Sequence, residues 1–224
     1  MAIVVAFVSQ KGGVGKSTLA RALAASAVTA GLTVKTVDLD PDQATITVWA
    51  KARDRYEVSP PIKVDAFRFV KDALSSTSGE EFVIIDTPGG ISEAVAEIAA
   101  HATFLVQPTS PSVDDLYPAV LVFGALERVG ISRQQLAFAV CRTLADDEAE
   151  NARAYLSGLG FAVLAGDIPE RVEYRAAMNQ GRAITEASQQ DLSQRASTMI
   201  ADLLKRAGCV MPQDQPEQRL TGTG

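Results

Sequence analysis

The chain has 224 residues, 47% hydrophobic and 21% charged, with 27 acidic against 21 basic side chains and a net charge of −6. That length suits one large domain able to bury roughly 70–75% of its unfolded surface without a disulfide or metal staple. The composition excludes wholesale disorder, and the acidity excludes a surface that is basic throughout, though not a local basic stripe.

In chain order, β-branched runs alternate with longer helical periods. The apolar run Ala2–Val8 is about a third of a membrane span and has no basic flank, so it predicts neither a signal peptide nor an anchor. Ile3–Val8 instead reads as a buried strand, and Lys16 to Ala30 as an Ala-rich helix closed by Gly31. Thr33–Val37 (strand), Ala44–Arg53 (helix), Ile62–Val64 (strand) and Phe67–Leu74 (helix) follow. Next come strand Phe82–Ile85, helix Ser92–Ala100, strand Ala102–Val106 and helix Asp114–Arg128. The remainder reads as strand Leu136–Val140, helix Glu148–Ser157, strand Phe161–Leu164, and helices Arg171–Asn179 and Gln189–Arg206. Strands apolar on both faces and separated by helices imply one three-layer α/β domain with a mostly parallel twisted sheet. That domain is expected over residues 1–207. Residues 208–224, rich in Pro, Gln, Gly and Thr beyond Met211, are expected to form a disordered tail.

Cys141 and Cys209 have no metal-ligand spacing, which argues against an iron–sulfur site and predicts a reducing, cytoplasmic setting. His101 stands at a helix-to-strand junction and reads as a surface or capping residue. Trp49, with Ile46 and Arg53 on its helical face, reads as packing.

The sharpest motif is Gln10-Lys11-Gly12-Gly13-Val14-Gly15-Lys16-Ser17-Thr18, set between the first strand and the first helix. Gly12, Gly13 and Gly15 let successive N–H groups, including those of Val14 and Thr18, converge on phosphate oxygens at a helix N-terminus. Lys16 is placed to reach the β- and γ-phosphates of a nucleotide, and Ser17 to ligate Mg²⁺. Gln10 stands where the general phosphate loop has glycine, so the match is to the variant K-G-G-x-G-K-[ST], with its second lysine, Lys11. Two strand ends add carboxylates: Asp38 and Asp40 at i and i+2, and Asp86, which can hold Mg²⁺ through water.

Together these segments resemble the deviant Walker A P-loop NTPases of the ParA/MinD superfamily, and most of all the short ParA partition ATPases. The phosphate loop begins within ten residues of Met1, so the N-terminal helix-turn-helix domain of longer members is not expected here. The resemblance implies a slow, partner-stimulated ATPase using ATP and Mg²⁺, with Lys11, Lys16 and Asp40 as the catalytic residues. Asp40 would position the attacking water and also approach the metal through water; Asp38 has a less defined, structural part. It implies a homodimer that sandwiches nucleotide, with Lys11 of each subunit reaching the phosphates of the other. The segment Val106–Asp115 resembles the proline-rich loop of short ParA proteins, a part of the dimer face; it also reads as a simple strand-to-helix turn. For the base, the resemblance suggests Arg142-Thr143 and the loop around Asp167, Ile168 and Pro169. Arg142 would stack on adenine, or else cap a strand end.

The resemblance further implies nonspecific DNA as a partner, and a ParB-like or centromere-binding adaptor that stimulates hydrolysis, in a chain that is nucleoid-associated when ATP-bound. Arg171, Arg175 and Arg182 fall at i, i+4 and i+11 and suggest a phosphate-contacting stripe, although Glu170 and Glu173 interrupt it. Residues 142–206 carry eight bases and ten acids, so a solvated helix with Glu/Arg pairs fits the same spacing. The tail Gln213–Gly224 has one base and almost no apolar residues, which argues against membrane binding through an amphipathic helix. Three functions stay open: segregation or positioning of a cargo on DNA, nucleotide-gated assembly without DNA, and an ATP-dependent small-molecule ligase.

Overall fold

The computed structural model describes residues 2–90 and 93–209. The expected tail beyond Cys209 and the expected helix start at Ser92 therefore lie outside the described residues. Within them, strands β1 (Ile3–Phe7), β2 (Val34–Asp38), β3 (Val64–Ala66), β4 (Phe82–Asp86), β5 (Phe104–Thr109), β6 (Leu136–Thr143), β7 (Ala162–Val163) and β8 (Ile168–Pro169) form one sheet. The helices are α1 (Lys16–Thr29), α2 (Thr45–Arg55), α3 (Val70–Ser75), α4 (Glu93–His101), α5 (Val113–Arg128), α6 (Asp146–Gly158), α7 (Val172–Asn179) and α8 (Gln190–Arg206).

The strand order is β3-β2-β4-β1-β5-β6-β7, with β8 added to β6, and every pairing is parallel. Alternate side chains of the strands enter two separate cores. One packs the sheet against α1, α2, α7 and α8, the other against α3 to α6. Both faces are covered, which is why the central strands carry no polar face. Strand β1 lies between β4 and β5, so its C-terminal end is the switch point where an open α/β sheet forms its crevice. Phe7 and Asp38 are each in register with Asp86, placing three strand ends in one row beneath that crevice.

Several boundaries differ from the sequence reading. β5 does not stop at Val106 but runs on through Gln107, Pro108 and Thr109, so the proline-rich loop shrinks to residues 110–112. A proline is tolerated there because β1 pairs with β5 only as far as Val106. By the alternation of the strand, the missing N–H of Pro108 faces the side where β1 has ended. β6 likewise extends to include Arg142 and Thr143, and the expected loop at Ile168-Pro169 is a short strand beside it. β3 and α3 begin at Val64 and Val70, two and three residues later than their periodicity suggested. Trp49 is buried and His101 is exposed at the end of α4, as expected.

Candidate functional site

The phosphate loop leaves β1 at Phe7 and enters α1 at Lys16. Gly15 is the residue before α1 and has φ 117°, a backbone region open in practice to glycine. A Cβ there would stand in ordinary contact with Cys141 Sγ at 3.4 Å and Pro108 Cβ at 3.7 Å, so the loop lies directly on the ends of β5 and β6. A cavity of about 390 Å³ opens above it. It is lined by Gly12, Gly13, Gly15, Lys16, Ser17 and Thr18, and by Asp40, Asp86, Thr87 and Gly89 from the neighbouring strand ends.

Burial drives the electrostatics of this cavity. It lowers the Lys16 pKa, while Asp86 and Asp40 pull it back up. It pushes Asp86 up to about 6, with Asp38 adding to the rise and the Ser17 hydroxyl, Lys16 and Arg21 opposing it. Asp86 Oδ1 is buried without a hydrogen-bond partner. An orphaned carboxylate oxygen next to a helix-start hydroxyl is a donor set that suits a hydrated divalent cation. Among the described residues no group of three or more His, Cys, Asp or Glu side chains could hold a metal directly.

Asp38 and Asp40, adjacent in sequence spacing, do different work. Asp38 is fully buried and accepts from Asp40 N–H, Thr47 N–H and Thr47 Oγ1 at 3.0, 3.2 and 2.9 Å. It therefore ties β2 to the start of α2, the structural part expected for it. Asp40 lines the cavity, with Oδ1 accepting from Gln43 N–H at 3.2 Å. Thr87 Oγ1 donates to the Phe7 carbonyl at 2.7 Å, and Gly90 N–H to the Ser9 carbonyl at 3.2 Å, which closes the segment after β4 onto the phosphate loop.

Lys11 is held elsewhere. Its Nζ donates to the Asp114 carbonyl and to Asp115 Oδ1, both at 2.5 Å, on the first turn of α5. The Asp114 carbonyl is free to accept because Pro118, four residues on, has no N–H to close the helical bond. Asp115 also accepts from Ser110 Oγ; burial raises its pKa, but Lys11 and Ser110 hold it below the usual range. Sequence reading missed this contact, although a proline in the second turn of a helix with an acidic start signals an unpaired carbonyl there.

A second cavity, of about 310 Å³, lies on the other side of Gly13 and Gly15. Arg142, Ile168 and Pro169, the residues expected near the base, line it together. Arg142 has φ 61°, and its guanidinium donates to Glu170 Oε2 at 3.0 Å and to the Gly13 carbonyl at 3.3 Å. It thus reaches across the phosphate loop rather than capping β6.

The expected arginine stripe does not form as one face. Arg171 precedes α7, and Arg171 and Arg175 line the second cavity. Both engage Glu170: Arg175 forms a 3.6 Å ion pair, and Arg171 Nη1 donates to the Glu170 carbonyl. Arg182 lies beyond the end of α7, past Gly181, so the i+11 spacing has no helix to act through. Its carbonyl accepts instead from Trp49 Nε1 at 3.1 Å. Gly181 is required there, because any side chain would meet the Arg53 backbone at 2.2 Å.

Residues 5–207 match the model of the CobQ/CobB/MinD/ParA nucleotide binding domain. The chain is 34% identical over 138 residues to the maintenance of carboxysome distribution protein A of Gloeobacter kilaueensis, a match covering 58% of this chain and 62% of that relative. It is 28% identical over 186 residues to protein ParA of Rhizobium radiobacter, covering 80% and 83%. The fold matches that of the septum site-determining protein MinD from Pyrococcus horikoshii, solved with Mg-ADP. The TM-score is 0.72 and the identity 18%, over 93% of this chain and 98% of that one.

Proposed function

Because the chain belongs to the CobQ/CobB/MinD/ParA nucleotide-binding family, we propose that it is a ParA-type ATPase that positions or segregates a cargo through an ATP-dependent dimer. One observation carries this reading. Lys16, Ser17, Asp40 and Asp86 surround one cavity, while Lys11 is held outside it on α5 of its own chain. We read a lysine so placed as available to the phosphates of a second subunit.

In this reading Lys16 and the loop N–H groups bind the β- and γ-phosphates. Ser17, Asp86 and Asp40 would hold Mg²⁺, which when bound would supply charge neutralisation on the phosphates. Asp40 orients the attacking water. Lys11 leaves Asp115 and adds a cation from across the interface, where it stabilises charge developing on the transferred group. Arg142, Ile168 and Pro169 enclose the base.

Hydrolysis would then be slow until a ParB-like adaptor acts, and ATP-loaded dimers would bind DNA through Arg171 and Arg175. No helix among the described residues is long and apolar enough to cross a membrane. The pairing of Arg142 and Arg175 with Glu170 favours a second reading, nucleotide-gated assembly without DNA. ATP-dependent retention on nonspecific DNA, measured from low to moderate salt, tests the two. A steep loss of affinity with salt supports the first, and no retention at low salt supports the second.

A further inference from the structure

In sequence, Arg21 is only a polar position in an Ala-rich helix. It stands one turn after Ser17, and helical side chains lean toward the N-terminus, so its guanidinium returns beneath the phosphate-loop end of α1. There it lines the phosphate cavity with Asp40, Gln43 and Thr45. Nη2 donates to the Thr45 carbonyl at 2.8 Å and Nη1 to Met178 Sδ at 3.5 Å, while the group lies 5.7 Å from the Trp49 ring centroid. One side chain therefore joins the phosphate-loop helix, the first residue of α2, and α7.

This is an expensive way to fill space. The Nε–H is buried without an acceptor, and an orphaned buried donor is destabilising. Burial lowers the guanidinium pKa to about 10 against the opposing pull of Asp86 and Asp38, and it stays cationic at neutral pH. Methionine would pack against Trp49 with neither penalty. What the rigid fork supplies, and methionine does not, is a fixed separation between α1 and the start of α2.

The start of α2 is also the end of the Asp40 turn. The Asp40 carbonyl accepts from Ala44 N–H at 2.6 Å, and Ala44 has φ 48°, a left-handed conformation that alanine keeps only when its surroundings impose it. Thr45 follows directly and is gripped by Arg21; two residues later Thr47 is gripped by Asp38. The Asp40 turn is suspended between those two contacts and β2.

We propose that Arg21 is a positioning residue for hydrolysis, fixing the Asp40 turn against the phosphate loop through the Thr45 carbonyl. The inference rests on the reading of Asp40 as the residue that orients water. The test uses the full chain carrying Arg21→Met or Arg21→Lys. In nucleotide-free Arg21→Met, amide exchange at Gln43 and Ala44 should rise about tenfold while α8 keeps wild-type exchange. Its kcat should fall about tenfold with the ATP Kd changed less than about threefold, and Arg21→Lys should recover part of both losses. In an Asp40→Asn background, under single turnover with excess enzyme, Arg21→Met should cost less than about twofold further.

Unchanged exchange at Gln43 and Ala44, or a loss of ATP binding that matches the loss of turnover, would overturn the proposal. So would the full tenfold loss persisting beside Asp40→Asn. If Asp40→Asn alone turns over at the wild-type rate, the catalytic role of Asp40 fails, and with it the effect of Arg21 on hydrolysis; the exchange result still decides whether Arg21 holds the turn. Should Arg21→Met not fold, exchange at Gln43 and Ala44 in Arg21→Lys decides, a wild-type value overturning the proposal.

Discussion

The two cavities that flank the phosphate loop are built on opposite electrostatic terms. On the Asp86 side, charges are buried, close together and incompletely satisfied, with one carboxylate oxygen lacking any partner. On the α7 side, Arg142, Arg171 and Arg175 are exposed and gather on Glu170, Arg142 and Arg175 at its carboxylate and Arg171 at its carbonyl. The first arrangement has much to gain from a charged ligand and little tolerance for losing a residue. The second exchanges one set of solvated contacts for another, so each residue in it should matter less.

The sharpest break in that comparison comes from Lys16→Ala, which should weaken ATP binding at least about 100-fold by calorimetry and abolish turnover. Lys11→Ala should lower turnover about 10²–10³-fold, while the ATP Kd of the monomer stays within about threefold. Equal loss of ATP binding in both variants would dissolve the division between the two lysines.

The next effect is one of pH. With its folded pKa near 6 against the ordinary 3.8, Asp86 holds its proton in the folded chain after the unfolded chain has lost it. Stability from this group is therefore greatest below about pH 4, declines between pH 4 and 6, and is lost above 6, a total of about 3 kcal/mol. For a chain of this length that is roughly 6–12 °C in Tm. Metal-free wild-type protein should show the decline and Asp86→Asn should not; parallel profiles would show that the carboxyl is not buried as described. The smallest effects belong to α7. Arg175→Ala should change stability by less than about 1 kcal/mol and, if DNA is contacted, reduce the salt slope of binding by about one. A larger loss of ATP affinity than of DNA affinity would assign Arg175 to the nucleotide instead.

The phosphate cavity was the more legible of the two. A K-G-G-x-G-K-S loop between strand and helix is a continuous backbone device, and Asp86 ends an unbroken apolar strand, so both are written locally. The α7 side depends on where a helix stops. Arg171, Arg175 and Arg182 have helical spacing, but Gly181 is needed for the close approach to Arg53 and ends the register before Arg182. The extension of β5 through Pro108 is not written locally, since a proline is harmless in a strand only where the neighbouring strand, here β1, has already stopped. Arg21 left no signal beyond its place one turn after Ser17, since its partners come from α2 and α7, 24 and 157 residues away.

The most direct measurement is the mass of the ATP-loaded protein by light scattering, using Asp40→Ala to stop hydrolysis. Asp40→Ala should be dimeric with ATP and monomeric without it. Adding Lys11→Ala should return the ATP-loaded protein to a monomer that still binds ATP within about threefold of the single variant. A dimer that persists without Lys11, or a monomer that has lost its ATP, would contradict the assignment of Lys16 to its own nucleotide and Lys11 to its neighbour's.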